Sequence, residues 1–244
     1  MAKEKIERKI AVIFATDVVA YSKHMEADES ETIHNLRECE AILTNLFEKH
    51  GGRLFNTGGD SFLAEFPSAV AAVECAVKFQ EVIKERNRAE GTSIKLEFRV
   101  GINSGDVVKE KDNLLGDGVN IAARLEALAQ TNGITISNSI YEFIKGKTKY
   151  KFNNLGVQKV KQNEFHAYDI LLDPSHKRKI SNKSNKTKLM AAFASISAII
   201  IICGILYQTQ FSAKTVEVAD VTNKPIIFVK PISSVGQNDN SVNL

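Results

Sequence analysis

The first apolar run of the chain, "KIAVIFATDVVAYS" from Lys9, is continuous and rich in β-branched residues, the pattern of a buried strand, and it ends at Asp17. From Glu29 to His50 the pattern changes. Ile33, Leu36, Ile42, Leu43, Leu46 and Phe47 recur at broadly helical spacing until Gly51-Gly52 stops them. Leu54 to Phe66 predicts two strands joined by a tight turn at Gly58-Gly59. Pro67-Ser68 then opens a second amphipathic helix, Ala69 to roughly Asn87. A strand of alternating character follows from Ile94 to Ser104, then a loop holding Gly105, Asp106 and Lys109 to Asn113, then a helix from about Gly116 to Ala129. "GITIS" and "YKFNNLG" predict short strands, and "FHAYDILL" closes the domain. Strand, helix, hairpin, helix, strand, with an appended helix and strands, predicts an α/β (α+β) fold with a ferredoxin-like βαββαβ core and mostly antiparallel pairing, over residues 1–172.

Polarity shifts twice more before the end. Residues 173–188 form a polar, basic linker, and between Pro174 and Lys188 its six basic side chains, Lys177, Arg178, Lys179, Lys183, Lys186 and Lys188, meet no acid. Residues 189–207, "LMAAFASISAIIIICGILY", carry no charge. Roughly 20 apolar residues span a bilayer core, so this run predicts one transmembrane helix. The alternative is a buried core helix, against which the polar basic flank argues. Lys and Arg gather on the cytoplasmic side of a span, and the segment beyond holds only Lys214, Lys224 and Lys230. The expectation is a single-pass protein of the cell inner membrane whose N-terminal domain faces the cytoplasm. Residues 208–244 are then expected to be a short extracytoplasmic tail with one strand-like run, "KPIIFVKPI", too little to fold alone and open to reading as part of a truncated further domain.

Composition adds exclusions. At 43% apolar and 25% charged the chain is ordinary for a globular protein. The net charge of +3 is more than supplied by the linker, so the folded part is near neutral and lacks the basic face of a nucleic-acid binder. Cys39, Cys75 and Cys203 are too few and scattered for a disulfide framework or a zinc site and are read as small buried hydrophobes. No leader with an apolar stretch follows Met1-Ala2-Lys3-Glu4-Lys5.

Candidate chemistry sits at strand ends. Asp17 ends the first strand and Asp60 lies in the hairpin turn; in a ferredoxin-like core the hairpin tip can come alongside the end of the central first strand. Hard divalent cations are held by one or two carboxylates while substrate phosphates complete the shell. A Gly-Gly-Asp turn alone is equally compatible with a solvated hairpin. In "GDGVNIAARLEALA", Asn120 and Arg124 are four apart and share a helical face, with Val119, Ile121, Leu125 and Leu128 supplying apolar packing. The planar fork of Arg suits phosphate, although a surface Arg pairing with Glu126 or another acid would look the same in sequence.

Taken together, "ATDVVAYS", "GGRLFNTGGDSFLAEFPSAVAAVECA", "FRVGINSGDVV", "LLGDGVNIAARLEALA" and "LGVQKVK" resemble the successive motifs of class III nucleotidyl cyclases, most closely bacterial adenylate cyclase domains, over roughly residues 8–171. The resemblance implies that Asp17 and Asp60 bridge two Mg²⁺ or Mn²⁺ ions, that the Val18 carbonyl completes the metal shell, and that amides of Val19 to Ser22 lie near the β- and γ-phosphates. It implies that Asn120 orients the ribose, that Arg124 stabilises the transition state and that Lys161 binds the triphosphate. In this family the two aspartates come from one subunit and these three residues from its partner, so a homodimer with two composite sites, acting on ATP, is expected. Two departures stand out. Asn56 occupies the position that is usually Lys in adenylate and Glu in guanylate cyclases, and Asn113 the position often held by Asp. A carboxamide can meet adenine or guanine. The surrounding "FNTGGDSFLAEF" favours ATP; a guanylate cyclase and a silent nucleotide-binding domain are the alternatives. Ala20 stands where the family commonly has Gly.

Overall fold

The computed structural model describes residues 7–89, 91–160, 163–173 and 177–178. The expected span at 189–207, the tail and Lys161 lie outside the described residues; among the described residues no helix is long and apolar enough to cross a membrane.

The chain runs β1 (Glu7–Val18), α1 (Tyr21–Ala27), α2 (Glu29–Lys49), β2 (Arg53–Gly58), β3 (Ser61–Phe66), α3 (Ala69–Arg86), β4 (Phe98–Glu110), β5 (Asn113–Leu115), α4 (Asp117–Leu128), β6 (Ile134–Ser137), α5 (Asn138–Ile144), β7 (Lys151–Val160) and β8 (Asn163–Leu171). One sheet orders them β2-β3-β1-β4-β6-β8-β7, with β5 pairing the far end of β4. The stretch β2-β3-β1-β4 is antiparallel throughout and is the expected ferredoxin-like core; β4 and β6 alone are parallel.

Side chains alternate across a strand, and β1 uses both faces. Phe14 and Val18 join a large core with α2, α3 and α5, while Ala11, Ile13 and Ala15 pack with Val107, Leu114 and Ala122 beneath α4. The first core is stitched by Phe14, Phe47 and Phe66, whose ring centroids lie 5.1 to 5.8 Å apart. Each fully buried Phe contributes about 1.5–3 kcal/mol through burial. Helix α2 begins where Asp28 accepts the Glu31 N–H, and α3 where Ser68 accepts the Ala71 N–H, both satisfying donors that a helix start leaves free.

Among the described helices α4 covers the opposite face, and it lies very close to the sheet. A Cβ at Gly101 of β4 would come within 2.1 Å of the Glu126 backbone nitrogen and 2.3 Å of the Ala122 carbonyl oxygen. Only glycine permits that approach.

Three sequence expectations change. Strand β4 does not end at Ser104 but continues to Glu110 and turns directly into β5, so the predicted loop at 105–113 is mostly a hairpin. Gly105 reads as a turn former, yet it stays in the strand because a side chain there would press within 3.1 Å of the Gly118 Cα of α4. The sequence pattern also misses α1 and α5. Helix α1 buries no residue and so carries no periodic apolar signal, and α5, seven residues capped by Ser137, is too short to show a period. Cys39 and Cys75 are buried free thiols, as expected, with burial pushing them up to about 11 and about 12; Cys203 lies outside the described residues.

Candidate active site

On β1 the α4-facing row Ala11, Ile13, Ala15 continues to Asp17, placing a carboxylate where the strand leaves its apolar cover. The register supplies its neighbours. Asp17 lies directly across from Arg99 on β4, and on the other side Thr16 pairs with Phe62, which brings Ser61 opposite Asp17. Ser61 Oγ donates to Asp17 Oδ1 at 2.8 Å, and Arg99 Nη2 donates to Asp17 Oδ2 at 3.1 Å. Asp60 precedes Ser61 in the hairpin tip, held there by Gly59 at φ +67°. Val19 N–H donates to Glu97 O across to β4. In an antiparallel ladder the neighbouring residue points its backbone groups the other way, so the Val18 carbonyl faces β3 and the Asp60 turn.

From α4, Glu126 reaches down to the same spot, its Oε1 2.9 Å from Arg99 Nε. The pair is close but poorly aligned for a hydrogen bond, since both atoms are buried without one. Three acids, Asp17, Asp60 and Glu126, therefore share one guanidinium. Burial and the nearby Asp17 carboxylate push Asp60 up to about 6, and burial pushes Glu126 up to about 7 against the pull of Arg99. The excess of acid is the electrostatic signature of a place for a cation.

The donor set fits Mg²⁺ or Mn²⁺. It is carboxylate oxygen, hard and anionic, without thiolate or imidazole. Among the described residues no group of three or more His, Cys, Asp and Glu forms a metal cage, so two carboxylates would leave the other coordination positions to phosphate and water. The Arg99 guanidinium on Asp17 occupies the position of a counter-charge in the free protein.

Asn120 and Arg124 project from α4, one exposed and the other half-buried. The alternative pairing of Arg124 with Glu126 is not what forms, because Glu126 is engaged with Arg99. Arg124 Nη1 is instead buried with no hydrogen-bond partner, a cost of about 1–3 kcal/mol that a ligand oxygen would relieve. No hydrogen bond or ion pair among the described residues joins Asn120 or Arg124 to Asp17 or Asp60.

The expected base positions approach each other indirectly. A bulge in β2 between Leu54 and Asn56 places Asn56 across from Leu63, and the residue it leaves extra, Phe55, packs with Leu63 and Leu114. Leu114 follows Asn113, whose Oδ1 accepts the Leu114 N–H at 2.9 Å. Arg53 Nη1 donates to Asp112 O at 2.8 Å and draws the β4–β5 turn toward β2. Ala20 sits at φ +56°, where an L-residue pays roughly 1 kcal/mol relative to Gly.

Sequence reading missed Ser61, Arg99 and Glu126. The available signal was an Arg inside the apolar strand "FRVGIN", since a charge among buried positions normally has a partner. The partner depends on register and so is invisible in one dimension.

Comparison with known proteins places these residues in context. The family described as the adenylate and guanylate cyclase catalytic domain matches residues 2–171. A Rhizobium meliloti (strain 1021) protein, provisionally named adenylate cyclase 3, is 45% identical over 166 residues, covering 67% of this chain and 28% of its own length. The chain thus spans under a third of that relative. Among solved structures, an adenylate/guanylate cyclase/hydrolase from Silicibacter pomeroyi superposes with TM-score 0.63 at 31% identity, covering 68% of this chain and 98% of the other. The adenylyl cyclase CyaB from P. aeruginosa gives TM-score 0.61 at 26% identity, covering 72% and 100%.

Proposed function

Because the chain belongs to the adenylate and guanylate cyclase catalytic domain family, we propose that it converts ATP to 3′,5′-cyclic AMP and pyrophosphate at two composite sites of a homodimer. The observation that carries this reading is the convergence of Asp17 and Asp60 at one end of the sheet, in an acid-rich site that fits a divalent cation. Mg²⁺ or Mn²⁺ held there would supply the charge that acidifies the ribose 3′-hydroxyl and screens the triphosphate. Asp17, kept in place by Ser61, and Asp60 would hold the ions, together with the Val18 carbonyl. Arg99, freed from Asp17 and still beside Glu126, has a guanidinium to offer the phosphates. The 3′-oxygen gives its proton to solvent water and bonds to the α-phosphorus as the bond to the departing pyrophosphate breaks. Asn120 and Arg124 of the partner fix the ribose and meet the charge developing on the α-phosphate, and the family resemblance gives Lys161 the role of binding the triphosphate. Protein groups position and neutralise in this scheme rather than form covalent bonds.

ATP is preferred as substrate because the Rhizobium meliloti relative carries the adenylate cyclase name. A guanylate cyclase stays compatible with the base position. Asn113 Oδ1 is already engaged by Leu114, leaving its NH₂ to donate to a base acceptor, adenine N1 or guanine O6. The purified chain with Mn²⁺ and either nucleotide tests both: cyclic AMP from ATP in excess over cyclic GMP from GTP is expected, and the reverse would overturn the substrate assignment. Replacing Asn56→Lys should widen the ATP preference by about tenfold, the scale of one specific polar contact to a base. A shift toward GTP would contradict the role given to Asn56. The uncharged run at 189–207 further supports a single-pass protein of the inner membrane with its cyclase domain cytoplasmic. Recovery of the full chain in the soluble fraction would refute that placement.

A further inference from the structure

Past the last strand, the side chain of Arg178 returns to the domain. Its Nη2 donates to Asp169 Oδ1 at 2.9 Å, its Nε lies 2.7 Å from Asp169 Oδ2, and its Nη1 donates to the carbonyl oxygen of Leu128 at 2.8 Å. Asp169 is buried on β8 and also accepts from Thr135 Oγ1 at 2.8 Å, so the carboxylate is fixed before the guanidinium arrives. Asn153 Nδ2 donates to the Arg178 carbonyl, holding the backbone of the same residue.

Leu128 is the final residue of α4. The last carbonyls of a helix have no intrahelical partner and carry the negative end of its dipole, so a cation bonded there caps the helix. Asn120, Arg124 and Leu128 are spaced by four and lie along one face; Leu128 is therefore about 6 Å of helix rise beyond Arg124. The guanidinium grips the end of the row that carries both side chains offered to the partner's site. The guanidinium makes one hydrogen bond to the buried carboxylate and one to the helix, while its Nε faces the second carboxylate oxygen at ion-pair distance without a hydrogen bond.

We infer that Arg178 is a positioning residue: by tying the C-terminal end of α4 to Asp169 of the sheet, it sets the reach of Asn120 and Arg124, and makes catalysis depend on the segment that follows the domain. This inference rests on the cyclase reading above. Arg178 belongs to the basic run from 177 to 188.

The test uses the full chain. Arg178→Gln should lower kcat with Mn²⁺-ATP about tenfold, within the range that small misplacement of a catalytic group costs, while KM changes less than about twofold. Arg178→Lys, which keeps charge without the fork, should recover part of the loss. Asp169→Asn should lower kcat similarly, and adding it to Arg178→Gln should cost little more, because the two act through one contact. Amide hydrogen exchange at residues 128–131 should quicken in Arg178→Gln. Unchanged kcat, or a lower melting temperature with kcat intact, would overturn the inference. If the wild-type chain forms no cyclic nucleotide, the cyclase reading fails, and exchange at the end of α4 still decides the latch: no change there refutes it.

Discussion

Asp60→Asn should reduce cyclic AMP formation at least about a thousandfold while the domain stays folded, and at neutral pH without metal it should melt above the wild type. The activity loss follows from removing one of the two carboxylates assigned to a cation whose charge acidifies the nucleophile. The stability gain has the opposite origin. Burial and Asp17 raise Asp60 from 3.8 to about 6, so its ionised form is disfavoured in the folded state. A carboxylate raised on folding gives its full contribution below its unfolded pKa and loses it as pH rises through the folded value. Metal-free wild type should therefore weaken from about pH 4 to pH 6, and Glu126, raised to about 7, extends the decline. The asparagine variant lacks the Asp60 part, so the two melting temperatures should converge toward pH 4. Mn²⁺ should stabilise the wild type and not the variant. Equal melting temperatures across that range would remove the electrostatic account of the site, and an unchanged turnover would remove the metal assignment.

Much of the frame is readable without coordinates, for reasons that differ by element. Helices α2 and α3 each cover the sheet with one apolar face, so their period survives in sequence. The β2–β3 hairpin announces itself because only its turn needs left-handed backbone at Gly59. By contrast, β4 hides half its length, since Gly105 serves close packing against α4 and imitates a turn. Helix α1 has no buried side chain to mark it.

The site divides in the same way. Asp17 and Asp60 stand out because the motifs around them resemble a known family, and the sheet brings their strand ends together. Arg99 and Glu126 stay hidden because their meeting requires the β1–β4 register together with α4 lying flat on Gly101. Arg178 is hidden for another reason. Among five other basic side chains it looks like solvated linker, and only the buried Asp169 distinguishes it.

The second large effect concerns Arg124. Its Nη1 is buried and unpaired, while the guanidinium that touches Asp17 within the same chain is that of Arg99. Arg124→Ala should lower kcat by about a hundredfold to a thousandfold, the range for losing one preorganised donor to developing charge, with melting temperature little changed. Because this side chain is assigned to the partner's site, the loss should not require an intact Asp60 in the same chain.

Mixing the two inactive variants tests the composite site most directly. Asp60→Asn and Arg124→Ala chains, unfolded or dissociated together and reassembled in equal amounts, form mixed dimers in half of all pairings. Each mixed dimer holds one site with every group intact and one lacking both. Cyclic AMP formation should return to about a quarter of the wild-type rate, since half the dimers carry half the sites. A mixture that remains as inactive as either variant alone would contradict the account, because it would place both defects in a single chain's own site.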